Sequence, residues 1–259
     1  MKNKIVIANQ KGGVGKTTTV LNLATTLVKA QRKKVLVVDM DPQGNATTGA
    51  GIDKLSVKHS IYDLLVSDID ARTAIVYSDS CKFDLIPANR NLAGAEIELV
   101  ELTEREFRLK QILASIEDDY DLILIDCPPS LSLLTVNAFT AANYVIVPIQ
   151  CEYYALEGLS DLLNTVNLMK SNLNPELEII GILRTMYDKR NNLAQQVSTQ
   201  LVDYFAQQVF YVSIPRSVRL AEAPSFGMSA VALDPDSAGS EAYHRLGREV
   251  IKRLRELHK

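Results

Sequence analysis

The segment Lys11-Gly-Gly-Val-Gly-Lys16-Thr17-Thr18 constrains this chain more than any other. It lies between a short apolar run, Lys4–Asn9 (KIVIAN), and a helical pattern, Lys16–Ala30, that gathers Leu21, Leu23, Ala24, Leu27 and Val28 near one face. Glycines at such a junction let successive backbone N–H groups turn inward without Cβ clashes. The start of the helix adds partial positive charge. Ending in Gly-Lys-Thr, the segment reads as a phosphate loop. Gly12, Gly13, Val14, Gly15 and Thr18 belong to the cradle, Lys16 bridges terminal phosphates, and the Thr17 hydroxyl ligates Mg²⁺.

The rest of the chain repeats the alternation of strand and helix. Lys34–Asp39, Tyr120–Asp126, Tyr144–Pro148 and Glu178–Leu183 read as strands, with Phe83–Pro87 a weaker one. Asn91–Glu117 holds two helical patterns, broken near Thr103 as an N-cap. Leu156–Ser171, Asn192–Gln207 and Glu241–Leu257 are helical, the last carrying Ala242, Leu246, Val250, Leu254 and Leu257 on one stripe. Strands apolar on both faces and alternating with helices predict an α/β fold, a single doubly wound, mostly parallel sheet flanked by helices. One P-loop domain over residues 1–259 is expected. The loop starts at residue 11, which leaves no separate N-terminal DNA-binding domain in this reading.

Ligands in such sheets bind beyond the carboxyl ends of the strands, and the acids fall there. Asp39 and Asp41 follow the second strand, where two carboxylates can divide the handling of metal and of water. Asp126 ends the strand LILID, the position from which an acid holds Mg²⁺ directly or through its water.

Composition limits the alternatives. At 47% hydrophobic and 23% charged residues, the chain is in the ordinary globular range, and disorder is excluded. Cys81, Cys127 and Cys151 form no CxxC pair, so neither a disulfide framework nor a zinc site is suggested. No signal peptide or transmembrane run is evident, and a cytoplasmic protein is expected. The formal charge of −3 argues against a general nucleic-acid coat but not against a local basic face. Glu241–Lys259 holds six cations and three acids, leaving −6 for the rest of the chain. That asymmetry fits a phosphate-binding face and equally a solvated amphipathic helix.

The loop departs from the general G-x-x-x-x-G-K-[ST] pattern. Gln10 stands in place of the first glycine, and a second lysine, Lys11, lies inside the motif. Lys11 can extend into solvent or reach the nucleotide of a facing subunit. KGGVGKTT resembles the deviant Walker A motif of the ParA/Soj and MinD group of ATPases. The resemblance runs along essentially the whole chain through VVDMDPQGNAT (Val37–Thr47), LIDCPPS (Leu124–Ser130), TMYDKRNNL (Thr185–Leu193) and IPRSVRLAEAPSFG (Ile214–Gly227). The last two resemble the ParA/Soj branch more than MinD.

The resemblance implies an ATPase that binds ATP or ADP with Mg²⁺. It implies a homodimer across two ATP molecules, nonspecific double-stranded DNA binding by that dimer, nucleoid association, and a ParB-type centromere-binding partner that stimulates hydrolysis. It assigns Lys11, Lys16 and Asp41 to catalysis, with Asp41 orienting water. Thr17, Asp39 and Asp126 go to the metal, Asp39 acting one shell out and stabilising its loop. Pro215 and Arg216 are placed near the base, and Arg190 and Arg219 on DNA. Relatives commonly read DPRSRG where this chain has Asp234-Pro-Asp-Ser-Ala-Gly239, and carry a lysine where Met228 stands. Asp236, Ala238 and Met228 thus point to a weaker or rearranged DNA face.

Three other functions compete, one of them a metabolic ligase or kinase with the same loop. A MinD-like membrane-cycling ATPase needs a C-terminal amphipathic helix with exposed bulky apolar residues, whereas IKRLRELHK ends in charge. An iron–sulfur reductase related to the nitrogenase iron protein needs cysteines at a dimer axis, and Cys127 and Cys151 do not stand in that family's cluster motif.

Overall fold

A computed structural model describes residues 3–258. The strands are β1 (Asn3–Ile7), β2 (Val35–Asp39), β3 (Val76–Ser78), β4 (Phe83–Ile86), β5 (Leu122–Asp126), β6 (Tyr144–Gln150), β7 (Glu178–Tyr187) and β8 (Val209–Pro215). The helices in the first half are α1 (Lys16–Lys29), α2 (Asn45–Gly49), α3 (Ile61–Val66), α4 (Leu92–Glu98), α5 (Arg108–Ala114) and α6 (Leu133–Ala141). In the second half are α7 (Ala155–Asn172), α8 (Asn192–Phe205), α9 (Val218–Glu222), α10 (Ala230–Leu233) and α11 (Ala238–Leu257).

All the strands join one sheet in the order β3-β4-β2-β5-β1-β6-β7-β8. Every neighbouring pair is parallel except β3 and β4. The expected fold class is therefore the observed one. The central strands are buried on both faces because each face carries its own core. On one, Leu21, Leu23 and Leu27 of α1 meet Leu246, Val250 and Leu254 of α11. On the other, Leu92, Leu109, Leu134 and Leu159 pack over the sheet. In β2 and β5, Asp39 and Asp126 are in register, so both acids leave the sheet side by side.

Several sequence expectations shift. Thr103 is not an N-cap: α5 begins at Arg108, with Phe107 at the cap, after an irregular stretch. Strand β8 was hidden because VFYVSIP follows directly on the helical pattern of α8 and presents an edge, with Tyr211 88% exposed. The short antiparallel β3 was also missed. Helix α11 begins at Ala238 rather than Glu241, because the Ser237 side chain accepts from the Ser240 N–H and caps it. Its apolar stripe is buried through Leu254, but Leu257 is exposed.

The cationic tail also resolves into different roles. Arg253 is mostly buried and ion-paired with Glu249. It donates to the carbonyls of Ile180, Gln207, Gln208 and Val209 and lies over the Phe210 ring. It fastens the edge strand and is not part of a phosphate-binding face. Lys259 lies outside the described residues.

Candidate nucleotide site

The loop between β1 and α1 is held from below by its own flanks. The Asn9 side chain donates to Pro148 O (2.8 Å) and accepts from the Lys11 N–H (2.9 Å). The Thr185 hydroxyl, at the end of β7, donates to Val14 O (2.8 Å). Gln10 turns outward, its amide 3.0 Å from the Thr165 hydroxyl. A glycine is thus dispensable there, because Gln10 joins the loop to α7 instead of lining the cradle.

Gly13 and Gly15 adopt left-handed φ values of 74° and 90°, a conformation that side chains disfavour. A Cβ on Gly12 or Gly13 would meet no protein atom within 4 Å, so these positions border open space. That space is a cleft of about 610 Å³ whose walls include the loop, Asp41 and Pro128–Ser130. Lys16 is buried in its floor, 3.1 Å from Lys11 O. Burial pushes the Lys16 pKa down, opposed chiefly by the Asp126 carboxylate.

The acids converge at the same place. The Thr17 hydroxyl donates to Asp126 Oδ2 (2.7 Å), while Asp126 Oδ1 is buried with no partner among the described residues. Asp39 is fully buried. Its Oδ2 accepts from the Thr47 N–H (2.8 Å) and hydroxyl (2.7 Å), and its Oδ1 from the Asp41 N–H (3.2 Å). Burial is the main cause that raises Asp39 to about 6, and burial followed by the charge of Asp39 raises Asp126. Asp41 stands at the cleft wall and its Oδ1 accepts from the Gln43 N–H (2.9 Å).

No group of three or more His, Cys, Asp or Glu side chains among the described residues forms a metal cage. One threonine hydroxyl beside a carboxylate oxygen without a partner suits a hard, hydrated cation that takes most of its ligands from phosphates and water, as Mg²⁺ does.

A second pocket of about 160 Å³ opens beside the cleft, with Gly15, Thr18 and Met186 in the walls of both. Pro215 and Arg216 line it, together with Thr185, Ile214 and Tyr243. The side pocket can take a flat ring while the loop takes phosphates. Thr185, Met186 and Tyr243 were not singled out from the sequence. Thr185 and Met186 open the TMYDKRNNL segment just after the Glu178–Leu183 strand pattern, and that placement was the available signal.

The remaining candidates lie outside the cleft. Lys11 is about half exposed and ion-paired with Glu152 (2.6 Å), a partner the sequence did not suggest. Arg190 is exposed and paired with Asp188 (2.9 Å), holding that carboxyl at about 2. Arg219 contacts Glu222 and Asp234 (3.2 Å). Asp236 and Ala238 are exposed on either side of the Ser237 cap.

The family model described as AAA domain matches residues 2–179. The chain is 54% identical to the sporulation initiation inhibitor protein Soj of Bacillus subtilis, over 95% of this chain and 97% of that one. It is 51% identical to the chromosome partitioning protein ParA of Myxococcus xanthus, over 96% and 88%. Among solved structures it is similar to cobyrinic acid a,c-diamide synthase from Mycobacterium smegmatis with bound ADP and magnesium. There the TM-score is 0.86 and the identity 36%, covering 98% and 96% of the two chains. The cell division ATPase MinD of Pyrococcus furiosus shares the fold, with a TM-score of 0.80 at 24% identity. The phosphate loop, the paired strand-end acids and these likenesses have one conclusion: the chain belongs to the ParA/Soj family of P-loop partitioning ATPases.

Proposed function

We propose that this protein binds ATP or ADP with Mg²⁺ and cycles between a nucleotide-free monomer and an ATP-bound homodimer that holds DNA. A ParB-type partner would release the dimer by stimulating slow hydrolysis. The observation that carries the proposal is the junction of cleft and side pocket. A glycine cradle open to solvent, a buried lysine and a bare carboxylate oxygen meet beside a ring-sized apolar recess.

In this reading Gly12–Thr18 cradle the phosphates, and Lys16 fixes their terminal charge in a low-dielectric floor. Thr17 and Asp126 would hold Mg²⁺, which would supply charge neutralisation at the phosphates. Asp41 orients the attacking water from the cleft wall. Asp39 acts as a positioning residue, since its oxygens already hold Thr47 and the Asp41 backbone. Pro215 and Arg216 receive the base. Lys11 exchanges Glu152 for the nucleotide of the facing subunit. An exposed pair of this kind contributes about 0–1 kcal/mol, so the exchange costs little.

Arg190 and Arg219 are the DNA contacts in this reading, released from their acid partners by phosphate. The burial of Leu246, Val250 and Leu254 leaves most of the apolar stripe of α11 in the core, which supports this reading over membrane cycling. No described helix is long and apolar enough to cross a membrane. Cys127 and Cys151 are buried and their thiol pKa values are raised by that burial, which disfavours a cluster shared between subunits.

The test is fluorescence anisotropy on unrelated duplexes, with ADP and with ATP, at two salt concentrations. ATP-dependent, salt-sensitive and sequence-indifferent binding is expected, weakened by Arg190→Glu and by Arg219→Glu. ATP-bound dimers that show no salt-sensitive binding would refute the partitioning cycle drawn here.

A further inference from the structure

Thr47, in the first turn of α2, is fully buried behind the wall of the cleft. Its hydroxyl donates to Asp39 Oδ2 (2.7 Å) and accepts from the Ala88 N–H (2.9 Å). A peptide N–H can only donate, so the single proton of the hydroxyl is committed to Asp39. The Thr47 N–H adds a second bond to the same oxygen (2.8 Å). Gly44 has no side chain with which to cap α2, and the strand-end carboxylate takes up this free N–H instead.

Asp39 presents its other oxygen to the Asp41 N–H (3.2 Å). A carboxylate is a rigid plane that turns on a soft torsion. Whatever fixes Oδ2 therefore fixes Oδ1, and with it the backbone from which the Asp41 side chain leaves. Three donors hold Asp39: two peptide N–H groups and the Thr47 hydroxyl, which makes the shortest of the three bonds.

Through Ala88 the same hydroxyl reaches a second strand. Ala88 follows β4, whose pairing of Ile86 with Val38 brings it beside the end of β2. Gly44 lies against it with a left-handed φ of 62°, and a Cβ there would stand 2.7 Å from Ala88 O. On the other side, the Met40 N–H donates to Asp126 O (2.9 Å). The turn that carries Asp41 is thus pinned to β5 where it starts and, through Thr47, to β4 where it ends. Between these anchors the bonds of Asp41 stay inside the turn, to the N–H groups of Gln43 (2.9 Å) and Gly44 (2.8 Å).

We infer that Thr47 is a positioning residue for ATP hydrolysis, whose hydroxyl sets the plane of Asp39 and, through it, the aim of Asp41 into the cleft. The inference rests on the reading of Asp41 as the residue that orients water. The bonds of Thr47 go to Asp39, Ala88 and the backbone around α2, and none goes to Gly12–Thr18. Nucleotide binding and turnover should therefore separate when the hydroxyl is removed.

The experiment is phosphate release by the full chain with ATP and Mg²⁺, with kcat and KM determined separately. The chains compared are the wild type, Thr47→Val, Thr47→Ser, Asp41→Ala and the double variant Thr47→Val/Asp41→Ala. Thr47→Val keeps the shape and removes the hydroxyl. Its kcat should fall at least about tenfold, since a misplacement of about 1 Å can cost about a hundredfold. Its KM should stay within about threefold of the wild type, and Thr47→Ser should recover most of kcat. A hydroxyl that served stability alone would lower the melting temperature and leave kcat unchanged below it. In the double variant nothing remains to be aimed, so it should be slower than Asp41→Ala alone by no more than about twofold.

All rates are taken below the melting transition of every variant. If Thr47→Val does not fold, Thr47→Cys, with a weak S–H donor of similar size, takes its place with the same expected direction. The inference is overturned if a folded variant without the hydroxyl turns over like the wild type. It is also overturned if KM rises while kcat is unchanged, or if the two losses multiply in the double variant. In each of these cases a slow Asp41→Ala leaves the reading of Asp41 standing. Normal turnover by Asp41→Ala would instead remove that reading, and this inference with it.

Discussion

The Thr17 hydroxyl donates to one oxygen of Asp126 at 2.7 Å, while the other oxygen of that carboxylate is buried with no partner among the described residues. Asp39 stands beside it in register across two parallel strands. Two buried carboxylates side by side disfavour charge on both, and the pKa values of both are raised.

That relationship has a sign in pH. An acid whose pKa is raised by folding holds its proton more tightly folded than unfolded. Its stabilising effect is complete below the unfolded value and is lost as pH rises through the folded one. For Asp39 the window runs from 3.8 to about 6, and burial shifts Asp126 in the same direction. In chelator and without nucleotide, Asp126→Asn should therefore melt higher than the wild type at about pH 7, the gap shrinking as pH falls toward about 4. Differential scanning calorimetry across that range decides it. A gap that widens toward acid would show that the carboxylate is not strained by burial. The same variant should lose Mg²⁺-dependent ATP hydrolysis.

Lys16→Ala removes a buried ammonium from the cleft floor. A lost charged contact costs about 1.5–3 kcal/mol or more, a tenfold effect or larger on ATP affinity. Isothermal titration calorimetry should show that loss with the fold intact. Wild-type affinity would mean that the phosphates bind elsewhere.

Asp41→Ala separates binding from turnover. Asp41 lines the cleft wall, and its side chain supports only the local turn through Gln43 N–H. ATP affinity should stay within a few-fold of the wild type, while phosphate release drops by at least about a hundredfold, within the usual range for a lost proton-handling group. Size-exclusion chromatography with ATP should then show accumulated dimer. Normal turnover by the variant would assign water activation to another group.

Much of this was legible because the informative signals are local. KGGVGKTT, the strand-end acids and two-face apolar strands each encode their structure within a few residues, and the structure brings Lys16, Thr17, Asp39, Asp41 and Asp126 together around one cleft. What escaped was encoded at long range. The grip of Thr185 on Val14 joins residues far apart in sequence. Glu152, the partner of Lys11, follows a strand whose neighbour in the sheet is known only from topology. Strand β8 was hidden behind the helical pattern of α8, and it is clasped by Glu249 and Arg253 of α11, residues that charge counting left open between a phosphate-binding face and a solvated helix.

The Lys11–Glu152 pair makes the last prediction. If Lys11 serves only its own subunit, Lys11→Ala removes one exposed ion pair, worth about 0–1 kcal/mol, and changes neither ATP binding nor association. If it reaches the facing nucleotide, the variant retains most of its ATP affinity, because Lys16 and the loop backbone are untouched, yet fails to dimerise. Glu152→Gln distinguishes the two further. Freeing Lys11 from its partner should leave ATP-dependent dimerisation intact or strengthen it up to about fivefold, the equivalent of one exposed pair. Analytical ultracentrifugation of both variants with ATP is the measurement. A Lys11→Ala chain that dimerises like the wild type would place the lysine in solvent, and the sandwich arrangement would lose its support from this residue.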